Sequence, residues 1–141
     1  MECRVKWVEG MCFLAETGSG HAVVMDTSPE FGGRNLGVRP MELLLVGMGG
    51  CTSVDVVSIL RKGRFQVLGC EVEVRGERAA EPPKVYTRIH VHYRITGRGI
   101  PADRIERAIA LSKEKLCSAS IMLGKAAEIT HDYEYREADG A

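Results

Sequence analysis

The stretch Leu43-Leu-Leu-Val-Gly-Met-Gly-Gly-Cys51 constrains the fold of this chain more than any other feature, because as a helix it is apolar on every side. An exposed helix carries one apolar stripe, whereas one that is apolar all round is buried, at the centre of a domain or of a dimer. Pro40 suits a first helical turn, and Glu42 complements the helix dipole. Asp55, Arg61 and Lys62 mark the return toward water, so the pattern predicts a helix over Pro40–Lys62. Gly47, Gly49 and Gly50 each cost about 1 kcal/mol of helix propensity relative to alanine. Three such losses predict that another backbone packs closely there.

Around this helix the chain reads as strands and turns. Cys3–Val8, Met11–Glu16 and His21–Asp26 are short alternating runs, punctuated by Gly10 and by Gly18-Ser-Gly20. Thr27–Arg39 is a loop rich in Gly and Pro, near the upper length for a structureless connection in a compact domain. Gln66–Arg78 and Val85–Thr96 alternate as two long strands, separated by a loop whose Pro82-Pro83 has no place inside a central strand. A second helix is expected from Pro101 to about Lys115, a third over Ser118–Ala127, and a closing strand over Glu128–Glu137. The order β-β-β-α-β-β-α-α-β describes one α+β domain over residues 1–141.

Composition narrows the function classes. Lys plus Arg and Asp plus Glu both total 19, so the net charge is zero and suggests neither nucleic acid nor an acidic membrane surface as partner. No uninterrupted apolar run approaches the ~20 residues of a membrane span. The opening Met1–Trp7 alternates charged and apolar residues, unlike a signal peptide, so a cytoplasmic protein is expected.

Five cysteines (Cys3, Cys12, Cys51, Cys70 and Cys117) are too scattered for a secreted disulfide framework. No CxxC occurs and no His stands at ligand spacing from a Cys, so no zinc site is expected. Cys3, Cys12 and Cys70 lie within strands and read as core or edge positions. Two cysteines differ from them. Gly49-Gly50 leaves the Cys51 thiol unshielded on its N-terminal side, and Cys117-Ser118 sits by a helix start, where a thiolate is stabilised. Their separation of 66 positions says nothing about whether the sulfurs meet.

Pro40-Met-Glu-Leu-Leu-Leu-Val-Gly-Met-Gly-Gly-Cys51, with Cys eleven positions after Pro, resembles the start of the central helix and first reactive cysteine of the OsmC/Ohr family. Cys117-Ser-Ala-Ser-Ile-Met-Leu is similar to the family's second reactive cysteine, and Ile129-Thr-His-Asp-Tyr-Glu-Tyr to its last strand. The opening Val5-Lys-Trp-Val-Glu-Gly looks most like the YhfA-like branch. The resemblance implies antiparallel sheets wrapped around central apolar helices in an intertwined homodimer. It implies a hydroperoxide reductase acting in oxidative stress defence, with Cys51 as peroxidatic thiolate and Cys117 as the resolving thiol. The substrate would be an organic hydroperoxide and the reductant a lipoylated or thioredoxin-like dithiol protein; no cofactor or metal is implied.

A thiol with an ordinary pKa near ~8.5 is only slightly ionised at neutral pH, so a cation is expected beside Cys51. Relatives use an Arg held by the Glu of a Pro-Glu step. Here Met41 follows Pro40 and Glu42 comes one residue later, ~100° further round the helix. Arg39 and Arg34 are the candidates, with Arg39 favoured as closest to the helix start; a dipole partner (Glu42) and solvated loop charges are the plainer alternatives. Leu44 and Met48 are expected to line an oily substrate pocket. His90 and His92 share a strand face but lack a third ligand, Arg75, Arg78, Arg88 and Arg94 suggest a solvated sheet face, and Trp7 reads as a packing residue. The same scaffold would equally serve a non-catalytic dimer that binds a small apolar ligand, or one that signals through the disulfide.

Overall fold

The computed structural model describes residues 1–139, which divide into two compact units, Met1–Leu44 and the remainder from Leu45. In the first, β1 (Cys3–Glu9), β2 (Cys12–Thr17) and β3 (Ala22–Met25) form an antiparallel meander. Gly10, at φ 55°, takes the left-handed conformation that the β1–β2 turn requires. Trp7 is not packed as expected: it is 68% exposed, and its Nε1 donates to the Gly10 carbonyl at 2.8 Å.

The Thr27–Arg39 loop contains one short 3-10 turn, Pro29–Phe31, and is organised by buried Asp26. Its carboxylate accepts the backbone N–H groups of Thr27, Leu36 and Arg34 at 2.7, 3.1 and 3.3 Å. Burial alone would push the Asp26 pKa up; the three amides outweigh it and hold the group below its ordinary value.

The long helix α1 spans Pro40–Lys62, as its sequence predicts. By length and composition it would pass for a membrane span, which the short apolar runs do not suggest. Inside the second unit, however, it buries one stripe, Met48, Thr52, Val56 and Leu60, at the i, i+4 spacing of a core-facing helix. Among the described residues, the close backbone approach expected at its glycines is absent. A Cβ on Gly47 or Gly50 would meet open space, and one on Gly49 would meet only the Val74 side chain at 3.2 Å.

The second sheet has the order β4 (Gln66–Arg78), β5 (Tyr86–Arg98), β6 (Glu128–Glu137). β4 and β5 are antiparallel, but β6 runs parallel to β5, so this sheet is mixed where antiparallel pairing was expected. The reason is the connection. β5 and β6 are joined not by a hairpin but by α2 (Ala102–Leu111), a π-helical turn (Ser112–Leu116) and α3 (Ser118–Leu123), the kind of crossover that a parallel pair needs. One face of β5 buries Ile89, Val91, Tyr93 and Ile95; α2 adds Ile105, Ala108 and Ile109 to the same core.

The other face of β5 is a solvated charge ladder. Arg94 pairs with Glu73 at 3.0 Å and Glu134 at 2.8 Å. Asp132 Oδ1 bridges His92 Nδ1 at 2.6 Å and His90 Nε2 at 3.0 Å. The Asp132 hydrogen bond raises the His92 pKa, and the two imidazoles lower that of Asp132. Stability from a raised histidine is complete below its unfolded pKa of ~6.5 and is lost as pH rises through its folded value. Stability from a depressed aspartate is present above ~3.9 and is lost as pH falls through its folded value. The pair therefore contributes most in mildly acid solution. In Asp132→Asn, an NMR titration should show the His92 pKa falling toward the free value, with a stability deficit that shrinks above neutral pH. An unmoved His92 pKa would contradict the assignment.

Candidate functional site

Cys51 and Asp55 stand four residues apart on α1 and so share a helix face. Cys117 reaches them from within the crossover, between the π turn and α3. α2 does not continue to Lys115 as expected; after Leu111 the helix widens into the π turn, which Cys117 closes by donating its backbone N–H to the Ser112 carbonyl at 2.8 Å. Single π turns inside helices recur at functional sites. Here the turn swings Cys117 inward, to 0% exposure. Cys117 then caps α3: its Sγ accepts the backbone N–H of Ser120 at 3.3 Å and the Ser120 hydroxyl at 3.0 Å.

The two sulfurs and an Asp55 carboxylate oxygen all lie within 4.8 Å of one another. Among the described residues, this is the one group of three or more Cys, His, Asp or Glu donors held so closely. Cys51 is half-buried and Cys117 fully buried. Burial pushes the Cys117 thiol pKa up; the Ser120 donors oppose this, and Cys51 adds to it. Of the pair, Cys51 is the more accessible to a ligand.

A buried hydrogen-bonded chain fixes the carboxylate. Tyr93 Oη lies 2.7 Å from Thr52 Oγ1, Thr52 Oγ1 lies 2.8 Å from Ser112 Oγ, and Ser112 Oγ donates to Asp55 Oδ2 at 2.9 Å. The single Ser112 proton points at Asp55. Thr52 must then donate to Ser112, and Tyr93 to Thr52. Burial raises the Tyr93 pKa, which keeps the phenol protonated at the head of the chain. Such a run, polarised toward a charge, is stronger than isolated neutral bonds.

Sequence reasoning missed Asp55, Thr52, Tyr93, Ser112 and Ser120. Only the i, i+4 spacing of Cys51 and Asp55 offered a signal, and Asp55 was read instead as a return to water. The absence of CxxC gave no hint of metal-type donors, yet Cys51, Asp55 and Cys117 form such a set.

The other expected site residues have local partners. Glu42 Oε1 accepts the backbone N–H of Arg39 at 2.8 Å, so this carboxylate closes the N-terminus of α1. The Arg39 guanidinium donates to Asn35 Oδ1 at 2.7 Å and the Gly37 carbonyl at 3.2 Å. Arg34 pairs with Glu9 at 2.7 Å. Leu44 is 45% exposed, and Met48 belongs to the core.

Fold and cluster together define a class: a small α+β chain that gathers two cysteines and a carboxylate around an apolar helix. The chain belongs to the OsmC-like protein family, whose pattern matches residues 32–132, across the boundary between the two units. It is 47% identical to Protein YhfA of Escherichia coli K12 over 134 residues, covering 95% of this chain and 97% of that one. Among solved structures, a hypothetical protein from Aquifex aeolicus is 30% identical with a TM-score of 0.85, covering 98% of this chain and 97% of its own. An organic hydroperoxide resistance protein OsmC from Legionella pneumophila shares the fold at 16% identity and TM-score 0.69, covering 95% and 97% of the two chains. Family membership supports a role in oxidative stress.

Proposed function

We propose that this chain is a cysteine-based organic hydroperoxide reductase. The observation that carries the reading is the approach of Cys51 and Cys117, 66 positions apart, to within 4.8 Å. The Cys51 thiolate attacks the terminal oxygen of ROOH; the O–O bond breaks, ROH leaves and Cys51 becomes a sulfenic acid. The Cys117 thiol then attacks that sulfur, its proton leaves with the hydroxyl as water, and a disulfide forms. A dithiol reductant, lipoylated or thioredoxin-like, returns both thiols by exchange. The half-exposed Cys51 and the buried Cys117 suit the peroxidatic and resolving roles respectively. The Legionella relative, an organic hydroperoxide resistance protein, points to the same substrate class.

The working unit in this reading is a cytoplasmic homodimer of single OsmC-like domains. α1 leaves Val46 and Val54 62% and 69% exposed beside the open faces of Gly47 and Gly50, an apolar surface that a second copy would cover. Leu44 remains a candidate lining for the alkyl part of the substrate, whereas Met48, 1% exposed, is taken up by the core.

The test is a free-thiol count on the reduced chain after one equivalent of cumene hydroperoxide. Two of the five thiols should disappear and return with a dithiol. A protein untouched over minutes would overturn the peroxidase reading and favour a ligand-binding dimer.

A further inference from the structure

Disulfide chemistry has no need of Asp55. Two thiolates and a carboxylate brought within 4.8 Å repel one another, and each works against ionisation of the others. Such a trio is held either by protons on the sulfurs or by a cation among them. We propose that the reduced Cys51, Asp55 and Cys117 bind one Zn2+ per chain, and that the bound ion masks the thiols from hydroperoxide. The binding stands on the cluster alone; the masking rests on the function proposed above.

The dimensions suit the ion. Zinc binds thiolate sulfur at about 2.3 Å and carboxylate oxygen at about 2.0–2.2 Å, so tetrahedral ligands sit about 3.5–3.8 Å apart. A separation of no more than 4.8 Å needs little contraction. Two sulfurs and one oxygen select zinc over magnesium or calcium, which take oxygen ligands. Three protein donors leave the fourth position to water, the pattern of an open rather than a closed structural site.

Metal ligands are held by partners of their own, and two of these donors have them. Asp55 is oriented by Ser112 through Oδ2, and Ser112 by the Thr52–Tyr93 chain. Cys117 receives two hydrogen bonds from Ser120, both of the kind that favours a thiolate. Two of the three donors, Asp55 and the buried Cys117, are thus aimed before an ion arrives. On binding, the two thiols release two protons and the carboxylate none, so the site carries a net charge of −1. No electron moves. Disulfide formation removes two of the three donors, so the oxidised chain should not hold the ion.

Titrating the reduced, metal-free chain with Zn2+ against a colorimetric chelator tests this, with Co2+ as the spectroscopic probe. One ion per chain is expected, with sulfur-to-cobalt charge transfer and the d–d bands of a tetrahedral site. Cys117→Ser and Asp55→Asn should each weaken binding at least ~10-fold. Asp55→Asn keeps an acceptor for Ser112, and circular dichroism would verify its fold. Cys3→Ser and Cys70→Ser should bind as wild type does. Stoichiometric zinc should slow disulfide formation by cumene hydroperoxide at least ~10-fold, and a chelator should restore it.

Substoichiometric binding, or binding indifferent to Asp55→Asn, overturns the site; an undiminished rate with zinc bound overturns the masking. If the disulfide forms but zinc does not bind, the peroxidase reading stands without the metal. If zinc binds as expected while the metal-free chain ignores hydroperoxide, the site stands and the peroxidase reading falls.

Discussion

Cys51→Ser should abolish the loss of thiols to an organic hydroperoxide, lowering its rate by at least ~10³-fold, the scale on which removal of a nucleophile is felt. Cys117→Ser should behave differently. Its Cys51 would still be oxidised, but with the Cys117 thiol gone the sulfenic acid persists, and excess peroxide carries it on to sulfinic acid. Intact mass separates the cases: unchanged for Cys51→Ser, one or two added oxygens for Cys117→Ser, and the loss of two hydrogens for wild type. The asymmetry follows from burial, since Cys117 is fully enclosed and Cys51 is not. The reverse pattern, with Cys51→Ser oxidised and Cys117→Ser inert, would exchange the two roles.

The largest effect on stability is expected at Ile105. It is 0% exposed, on the buried stripe of α2 with Ala108 and Ile109. Ile105→Ala removes three carbons from a packed core and should cost about 2–5 kcal/mol, a large part of the ~5–15 kcal/mol that stabilises a typical domain. Because α2 runs directly into the turn that presents Cys117, the variant should also form the disulfide more slowly at temperatures where it remains folded. Urea denaturation measures the first effect; a loss below ~1 kcal/mol would mean that the stripe is not packed as described.

Much of the fold was legible because it is locally encoded. Proline at the start and charge at the end of α1, and the alternation in β4 and β6, set those elements to their observed limits: Pro40–Lys62, Gln66–Arg78 and Glu128–Glu137. Errors gathered where distant contacts decide. The third helix was expected to reach Ala127 but ends at Leu123, before Gly124 at its C-cap. The switch from α to π geometry at Ser112 has no periodic signature, since Ser112 is fixed by Thr52 and Asp55, some sixty residues away. Parallel pairing of β6 follows from a crossover and not from any pattern within the strand.

The candidate site was legible only in part. Cys51 and Cys117 stood out through local context and a family resemblance, whereas their approach depends on the whole second unit. Asp55 was visible as a charge on an apolar helix but was assigned to solvent, because periodicity does not tell a half-buried, hydrogen-bonded carboxylate from an exposed one. Glu42 was weighed as an arginine holder or as a dipole partner. Its bond to the Arg39 backbone fits the second description.

Peptide mapping without reduction, after one equivalent of hydroperoxide and blocking of the remaining thiols, tests the central claim most directly. The account predicts one cross-linked species joining the Cys51 and Cys117 peptides, with Cys3, Cys12 and Cys70 alkylated. A disulfide through Cys3 or Cys70, with Cys51 and Cys117 still reduced, would contradict it.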